Sequence, residues 1–91
     1  MLTQRVCRAI ALRFPPEQAV EVERIVSQYG TRPHETECER VQFGIVVSSN
    51  GSLDRVKELV ALAKRDYRDL IMVAEYELKD GRLTRRHLPA E

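Results

Sequence analysis

Cysteine, glycine and aromatic residues are all scarce in this sequence, which has two cysteines, four glycines, three tyrosines, two phenylalanines and no tryptophan. Two cysteines are too few for the disulfide framework of a small secreted scaffold. The glycines are isolated, so no glycine-rich loop could cradle a phosphate. No segment approaches the roughly 20 apolar residues of a membrane span, and Arg5, Arg8 and Arg13 interrupt any signal-peptide core. These shortages indicate a soluble, cytoplasmic protein.

An excess of either charge is also missing, because 15 Lys and Arg side chains oppose 14 Asp and Glu side chains. The formal net charge of +1 does not predict attraction of the whole surface to nucleic acid or to an anionic membrane. Apolar residues make up 43% and charged residues 32% of the chain, which suits a folded protein rather than a disordered one. Residues 1–91 are therefore expected to form a single domain.

Alternating apolar positions predict three strands, which span residues 5–14, 41–49 and 69–78. Two other segments have the apolar spacing of an amphipathic helix. The first begins at Pro16, which suits the first turn of a helix, and ends at Gly30. The second follows Ser52, a typical N-cap, and continues to Ala63.

The segment between the first predicted helix and residues 41–49 has few loop-forming signals, so residues 34–39 are interpreted as an additional strand. The order βαββαβ then describes an α+β, ferredoxin-like two-layer sandwich, with two helices on one face of a four-stranded sheet. An alternative treats 36–49 as one strand and gives the order βαβαββ. Both orders place the helices on the same side of the sheet.

The stretch "HETECER", residues 34–40, contains several potential metal ligands and acid–base groups. On a strand, His34 and Cys38 would face the same side but lie roughly 13 Å apart, at ~3.3 Å per residue. That separation is too large for both to bind one zinc ion, and Cys7 would add only a second thiolate. The sequence therefore predicts an edge strand, with no metal and no cofactor.

The stretch "KRDYRDL", residues 64–70, is dense in charge. Lys64 and Arg65 suit the negative end of the second predicted helix, and Arg68 with Asp69 could pair locally while Tyr67 covers the core. The functional alternative is that Tyr67, Arg68 and Asp69 are presented to a ligand or partner.

The C-terminal segment 79–91 is predicted to be a hairpin or tail extension, because Asp80-Gly81 is a strong signal for a tight turn. Its basic side chains could contact a phosphate backbone together with Arg68. The predicted polar or nucleic-acid contacts are Arg68, Arg82, Arg85 and Arg86. Only Tyr76 is a nearby aromatic, so the stacking platform of a single-strand RNA binder is missing.

The sheet face opposite the helices is expected to be flat, apolar and built from small residues. Its central residues are Ala9, Ala11, Gly44, Val46, Ile71 and Val73. Soluble monomers rarely leave such a patch uncovered, so two copies related by a two-fold axis are expected to pack sheet to sheet. The alternative is that the C-terminal tail folds over this face.

The segment "VERIVSQYG…ERVQFGIVVSSNGSLDRVKELVALAKRDYRDL" resembles small ferredoxin-like modules, among them the C-terminal domain of the YigZ/IMPACT proteins and the ACT-type regulatory domains. The likeness covers about two-thirds of the chain as an order of elements. It departs at Glu39-Arg40, where such modules commonly have a glycine turn. The resemblance implies a protein that binds, regulates or assembles rather than one that catalyses, and no functional residue is carried over.

The leading hypothesis is a non-catalytic, cytoplasmic binding or regulatory module that forms a homodimer through its open sheet face and could also bind an unknown protein or small molecule. The second hypothesis is an accessory RNA-binding module that uses the basic C-terminal hairpin. An enzyme with a reactive thiol at Cys7 is a distant third, since an activated thiolate needs an exposed electropositive surrounding.

Overall fold

The computed structural model describes residues 2–85, which form five helices followed by a β-hairpin. The elements are α1 (Gln4–Arg13), α2 (Pro16–Val26), α3 (Cys38–Ser48), α4 (Leu53–Arg65), α5 (Tyr67–Glu75), β1 (Tyr76–Lys79) and β2 (Arg82–Arg85). Within the described residues, the hairpin is the whole of the sheet. The predicted ferredoxin-like sandwich is therefore wrong, in both the βαββαβ and the βαβαββ order.

The first predicted strand is instead α1, because its apolar residues also fit a helical repeat. Val6, Ala9 and Ile10 are fully buried on one side of α1, whereas Leu12, which the alternating pattern placed in the core, is 66% exposed. The Thr3 side chain accepts a hydrogen bond from the Val6 N–H at 3.3 Å and caps the helix.

The predicted strand at 41–49 lies almost entirely in α3, the most buried helix of the described chain. Six successive residues of α3, from Val41 to Val46, are buried. A helix that is surrounded by other elements has no polar face, so its sequence shows no period of 3.6. Residues 69–78 are likewise mainly helical, because α5 continues to Glu75 before β1 begins.

Both predicted helices are present, although α2 ends at Val26 rather than at Gly30, and the predicted tight turn at Asp80-Gly81 joins β1 to β2. Pro16 lies at the start of α2, and the Ser52 side chain caps α4 by accepting a hydrogen bond from the Arg55 N–H. The Asp80-Gly81 turn has positive φ at both residues, as the two-residue turns of twisted hairpins require. Residues 86–91 of the predicted tail lie outside the described chain.

The helices pack around α3, which contacts α1, α2, α4 and α5, while α4 packs between α2 and α5. Gly44 of α3 faces α5, where a Cβ added to it would lie 2.9 Å from the Ala74 Cβ. This close approach places α5 directly against α3, the centre of the fold, and the hairpin continues from the end of α5. Among residues 2–85, no helix combines the length and apolar character needed to cross a membrane.

Candidate functional site

The loop between α2 and α3 is fixed to α4 by one buried carboxylate. Glu35 has a side chain only 2% exposed, and its Oε1 accepts hydrogen bonds from the backbone N–H groups of Gly30, Thr31 and Arg32 at 2.8, 2.9 and 3.3 Å. Its Oε2 lies 3.1 Å from the Lys64 ammonium, near the end of α4. Lys64 also donates to the Gln28 carbonyl at 2.8 Å. Glu35 therefore organises the loop and determines where Lys64 lies.

These contacts determine the ionisation of Glu35. Burial favours the neutral acid, but the Gly30 N–H, the Lys64 ammonium and the other two loop N–H groups outweigh burial and lower the pKa of Glu35 from 4.5 to about 2. Glu35 is therefore a permanent carboxylate at physiological pH.

Tyr29 provides a second attachment for the same loop. Its buried hydroxyl donates to the Thr36 carbonyl at 2.6 Å, and its own carbonyl accepts from Gln42 of α3 at 3.0 Å. Burial, followed by the charges of Cys38 and Glu35, raises the pKa of Tyr29 to about 12. The hydroxyl therefore stays protonated and remains a donor at neutral pH.

A polar cleft of about 250 Å³ opens beside this loop, and we call it the Lys64 cleft. Its lining includes Tyr29, His34, Lys64, Arg65, Tyr67 and Arg68. The acids of the cleft are Glu35 and Asp66, and each already has a cationic partner. Asp66 also caps α5 by accepting from the Arg68 N–H at 3.0 Å.

A second concavity of about 370 Å³ lies on the other side of Tyr67 and Arg68, and we call it the α5–hairpin groove. Four apolar or aromatic side chains line it: Tyr67, Ile71, Met72 and Tyr76. Glu37, Arg40 and Arg68 complete the lining with charges of both signs. Met72 is 42% exposed and so presents apolar surface at this groove.

A bidentate ion pair fixes one side of the groove. The Arg40 Nε and Nη2 donate to the two oxygens of Glu75 at 2.6 and 2.7 Å, which joins α3 to the end of α5. Arg85 of β2 lies 3.6 Å from the same carboxylate, so Glu75 also contacts the hairpin. The hydrogen bonds from Arg40 outweigh the effect of burial and lower the pKa of Glu75.

The six residues expected on an open sheet face do not share one surface. Ala9 and Val46 are fully buried, and Gly44 packs against α5. Ala11 is exposed on α1, while Ile71 and Val73 lie on α5. The predicted sheet-to-sheet contact has no counterpart in the described chain, although Ile71 does line the α5–hairpin groove.

The predicted polar contacts lie in two places. Arg68 lies between the Lys64 cleft and the α5–hairpin groove, and it pairs with Asp66 at 3.2 Å rather than with Asp69. Arg82 and Arg85 are exposed on β2, and Arg86 lies outside the described residues. The structure brings together Lys64, Arg65, Tyr67 and Arg68 of the "KRDYRDL" stretch in one cleft.

The "HETECER" stretch is not an edge strand: residues 34–37 lie in the loop before α3, and residues 38–40 form the first turn of α3. Within residues 2–85, no three His, Cys, Asp or Glu side chains gather as a metal site would require. Cys7 lies in α1, where burial and then the Glu23 carboxylate raise the pKa of its thiol. This shift is opposite to the one that activates a nucleophilic cysteine.

Sequence reasoning missed Glu35 and the Arg40–Glu75 pair, which organise the two concavities. Glu35 and Lys64 are 29 residues apart, and Arg40 and Glu75 are 35 residues apart. No spacing rule connects such distant residues. The one local signal was a carboxylate in the loop that follows a helix stop at Gly30.

Comparison of the chain with protein-family models, with curated proteins and with solved structures finds no match in any of the three. The geometry of the two concavities is therefore what indicates a function for this chain.

Proposed function

We propose that this protein is a non-catalytic assembly module in which two copies bind each other through the α5–hairpin groove. The observation that carries the proposal is the concentration of exposed apolar surface on α5 and the hairpin. Of the large apolar side chains that are well exposed in the described chain, Met72, Val73 and Leu83 belong to these two elements. Tyrosine, methionine and arginine, which line the groove, are enriched at protein interfaces.

The position of Leu83 supports a second copy as the occupant. Arg85 is the cross-strand partner of Tyr76, and Leu83 lies two residues from Arg85 on the same strand. Side chains alternate along a strand, and paired residues share a face, so Leu83 lies on the same side of the hairpin as Tyr76. Leu83 is 61% exposed on the hairpin face that it shares with Tyr76, which lines the groove. Under a two-fold rotation, Leu83 of each copy can contact the groove of the other copy, so the same apolar contact forms twice.

The charges around the groove support the same partner. Glu37 is an acid on its lining, whereas Arg40 and Arg68 are cations. A surface with both signs can complement a copy of itself under a two-fold rotation, whereas a surface of one sign would repel its copy. The net charge of +1 adds little repulsion between two chains.

The same proposal places the module in the cytoplasm. Cys7 and Cys38 are both unpaired thiols in the described chain. Unpaired thiols are typical of a reducing compartment.

The first test is the molar mass by light scattering during size exclusion, over a dilution series starting at about 100 μM, well above a micromolar dissociation constant. The wild-type chain is expected to be a dimer at the top of the series. Met72→Glu should weaken dimerisation by roughly thirtyfold or more, as loss of a central contact does. Val20→Glu is the matched control, because Val20 is an even more exposed apolar residue on α2. It should leave the dimer intact.

A mixing experiment tests the reciprocal contact between Leu83 and the groove. Met72→Glu and Leu83→Lys should each weaken the homodimer. In an equimolar mixture, one contact of the heterodimer is wild-type, and the other joins the introduced carboxylate to the introduced ammonium. The mixture should therefore recover the dimer that neither variant forms alone. A wild-type monomer throughout the series, or failure of the mixture to recover, would count against the proposal.

The hairpin supports a second candidate function, binding of RNA through its basic edge. Arg82 and Arg85 are exposed on β2, the strand whose outer edge is unpaired within the described residues. Binding of a fluorescent single-stranded RNA should then fall steeply with salt, and Arg82→Ala should reduce the slope of log affinity against log salt by about 0.7. Arg55→Ala, which removes a cation from α4, should leave the slope unchanged. Absence of binding at low salt would eliminate this candidate.

A further inference from the structure

The acids of the Lys64 cleft are already engaged. Glu35 is almost fully buried and accepts from three backbone N–H groups and from Lys64. Asp66 accepts from the Arg68 backbone N–H and from the Arg68 guanidinium at 3.2 and 3.3 Å. Neither carboxylate is therefore available as an unpaired charge to repel an incoming anion.

The cations of the cleft retain donors that these contacts do not use. The Lys64 ammonium has three N–H donors and gives two of them, to Gln28 and to Glu35. Arg65 has no ion-pair partner among residues 2–85, so its whole guanidinium is available. Arg68 uses Nε and Nη2 on Asp66 and keeps its Nη1 group. Donors from three side chains therefore remain at one cleft.

We infer that the Lys64 cleft binds the phosphoryl group of a phosphomonoester. This group is a dianion near neutral pH with three strong acceptor oxygens, which match the three donor side chains Lys64, Arg65 and Arg68 in number. These three cations exceed the two acids of the cleft by one charge, so the cleft attracts an anion. A carboxylate offers only two oxygens and one charge. The cleft volume of about 250 Å³ is below the range of drug-sized pockets, so it suits one phosphoryl group with a few attached atoms.

The fixed positions of Lys64 and Arg68, each already held by an acceptor at the cleft, favour such binding. The Lys64 ammonium donates to the Glu35 carboxylate and to the Gln28 carbonyl, so two acceptors fix its position. Arg68 lies in the first turn of α5, next to its capping residue Asp66. Donors that are already positioned lose less entropy when an anion binds.

The test is a calorimetric titration of the whole chain with methyl phosphate and with amide-blocked O-phosphoserine, up to about 10 mM, a range that covers millimolar dissociation constants. Equal affinity would assign the phosphoryl group alone as the ligand, whereas preference for phosphoserine would assign a modified protein as the source. Methyl sulfate has the same three oxygens with one charge less and should bind more weakly than methyl phosphate.

Arg65→Gln is expected to weaken methyl phosphate binding about tenfold, because it removes one charge-assisted contact. The matched control is Arg55→Gln, which removes the same charge near the other end of α4, where Arg55 pairs with Glu58. It should change the affinity less than twofold. The inference is overturned if neither phosphate ligand binds, if methyl sulfate binds as tightly as methyl phosphate, or if the two arginine variants weaken binding equally.

Discussion

Replacing Glu35 with alanine is expected to lower the free energy of unfolding by about 3–5 kcal/mol, the usual cost of breaking a buried ion pair. The alanine variant loses the acceptor for three loop N–H groups and the carboxylate that pairs with Lys64. The loop between α2 and α3 would then keep the Tyr29 hydrogen bond to Thr36 as a main attachment. Urea unfolding monitored by circular dichroism measures the change.

The variant Glu35→Gln isolates the contribution of the charge. A pKa lowered from 4.5 to about 2 corresponds to about 3 kcal/mol at neutral pH. Because the pKa is lower in the folded state, this stability is fully present above about pH 4.5 and is lost as the pH falls towards 2. The difference in free energy of unfolding between wild type and Glu35→Gln should therefore become smaller as the pH falls from about 4.5 to about 2. The pKa of Glu75 is also lowered, so both wild type and Glu35→Gln should lose some stability in acid when Glu75 is protonated.

Glu39→Gln provides the control for this prediction. Glu39 lies 3.5 Å from Arg5, and both side chains are well exposed. Exposed pairs contribute about 0–1 kcal/mol, so this variant should unfold nearly as the wild type does. If the Glu35 and Glu39 variants lost equal stability, the loop would not depend on Glu35. If the difference in free energy of unfolding between wild type and Glu35→Gln stayed constant from pH 7 to about pH 2, the charge of Glu35 would not be what stabilises the loop.

The sequence predicted the elements that carry their own boundary signals. Pro16 and Ser52 mark the starts of α2 and α4, and Asp80-Gly81 specifies the hairpin turn. These signals act through local backbone geometry, so they remain valid whatever the chain packs against.

The elements that were wrongly predicted have no such local signal, and their conformation depends on what they pack against. Val6 and Ile10 are compatible with a period of two and also lie one helical turn apart. The helix α3 is buried on all sides, so the tertiary environment alone distinguishes it from a core strand. Since residues 2–85 contain no four-stranded sheet, two residues assigned to its open face, Ala9 and Val46, are instead buried in the helical core.

The two concavities could be predicted only in part from the sequence. The charged stretch at residues 64–70 was recognised as unusual, and it does line the Lys64 cleft. Its positioning partner Glu35 was assigned to an edge strand, because a loop carboxylate shows no sign of the lysine that it will meet 29 residues later. Glu35 meets Lys64 only because the helices pack together, and the predicted ferredoxin-like fold did not contain that packing.

The packing of α3 on α5 leads to the second large prediction, a loss of about 3 kcal/mol or more on Gly44→Val. A Cβ at Gly44 would lie 2.9 Å from the Ala74 Cβ and 3.4 Å from the Leu70 Cδ1. Valine adds two further methyl groups, so α5 must move away or the side chains must leave their preferred rotamers.

Gly44→Ala separates the effect of helix propensity from the effect of packing. Alanine favours the helix by about 1 kcal/mol over glycine, but its Cβ still makes the 2.9 Å contact with Ala74. Overpacking costs about 1–3 kcal/mol, so a small net loss is expected for alanine and a large one for valine. Ala11→Val, at an exposed position of α1, should cost less than about 1 kcal/mol.

Because α5 continues directly into β1, displacement of α5 by valine should also disturb the α5–hairpin groove. Gly44→Val should therefore lose dimer at protein concentrations where it is still folded, whereas Ala11→Val should keep it. Chemical denaturation measures the loss of stability, and light scattering on the same samples measures the loss of dimer. A Gly44→Val protein as stable as Ala11→Val would mean that α3 and α5 do not approach each other at Gly44.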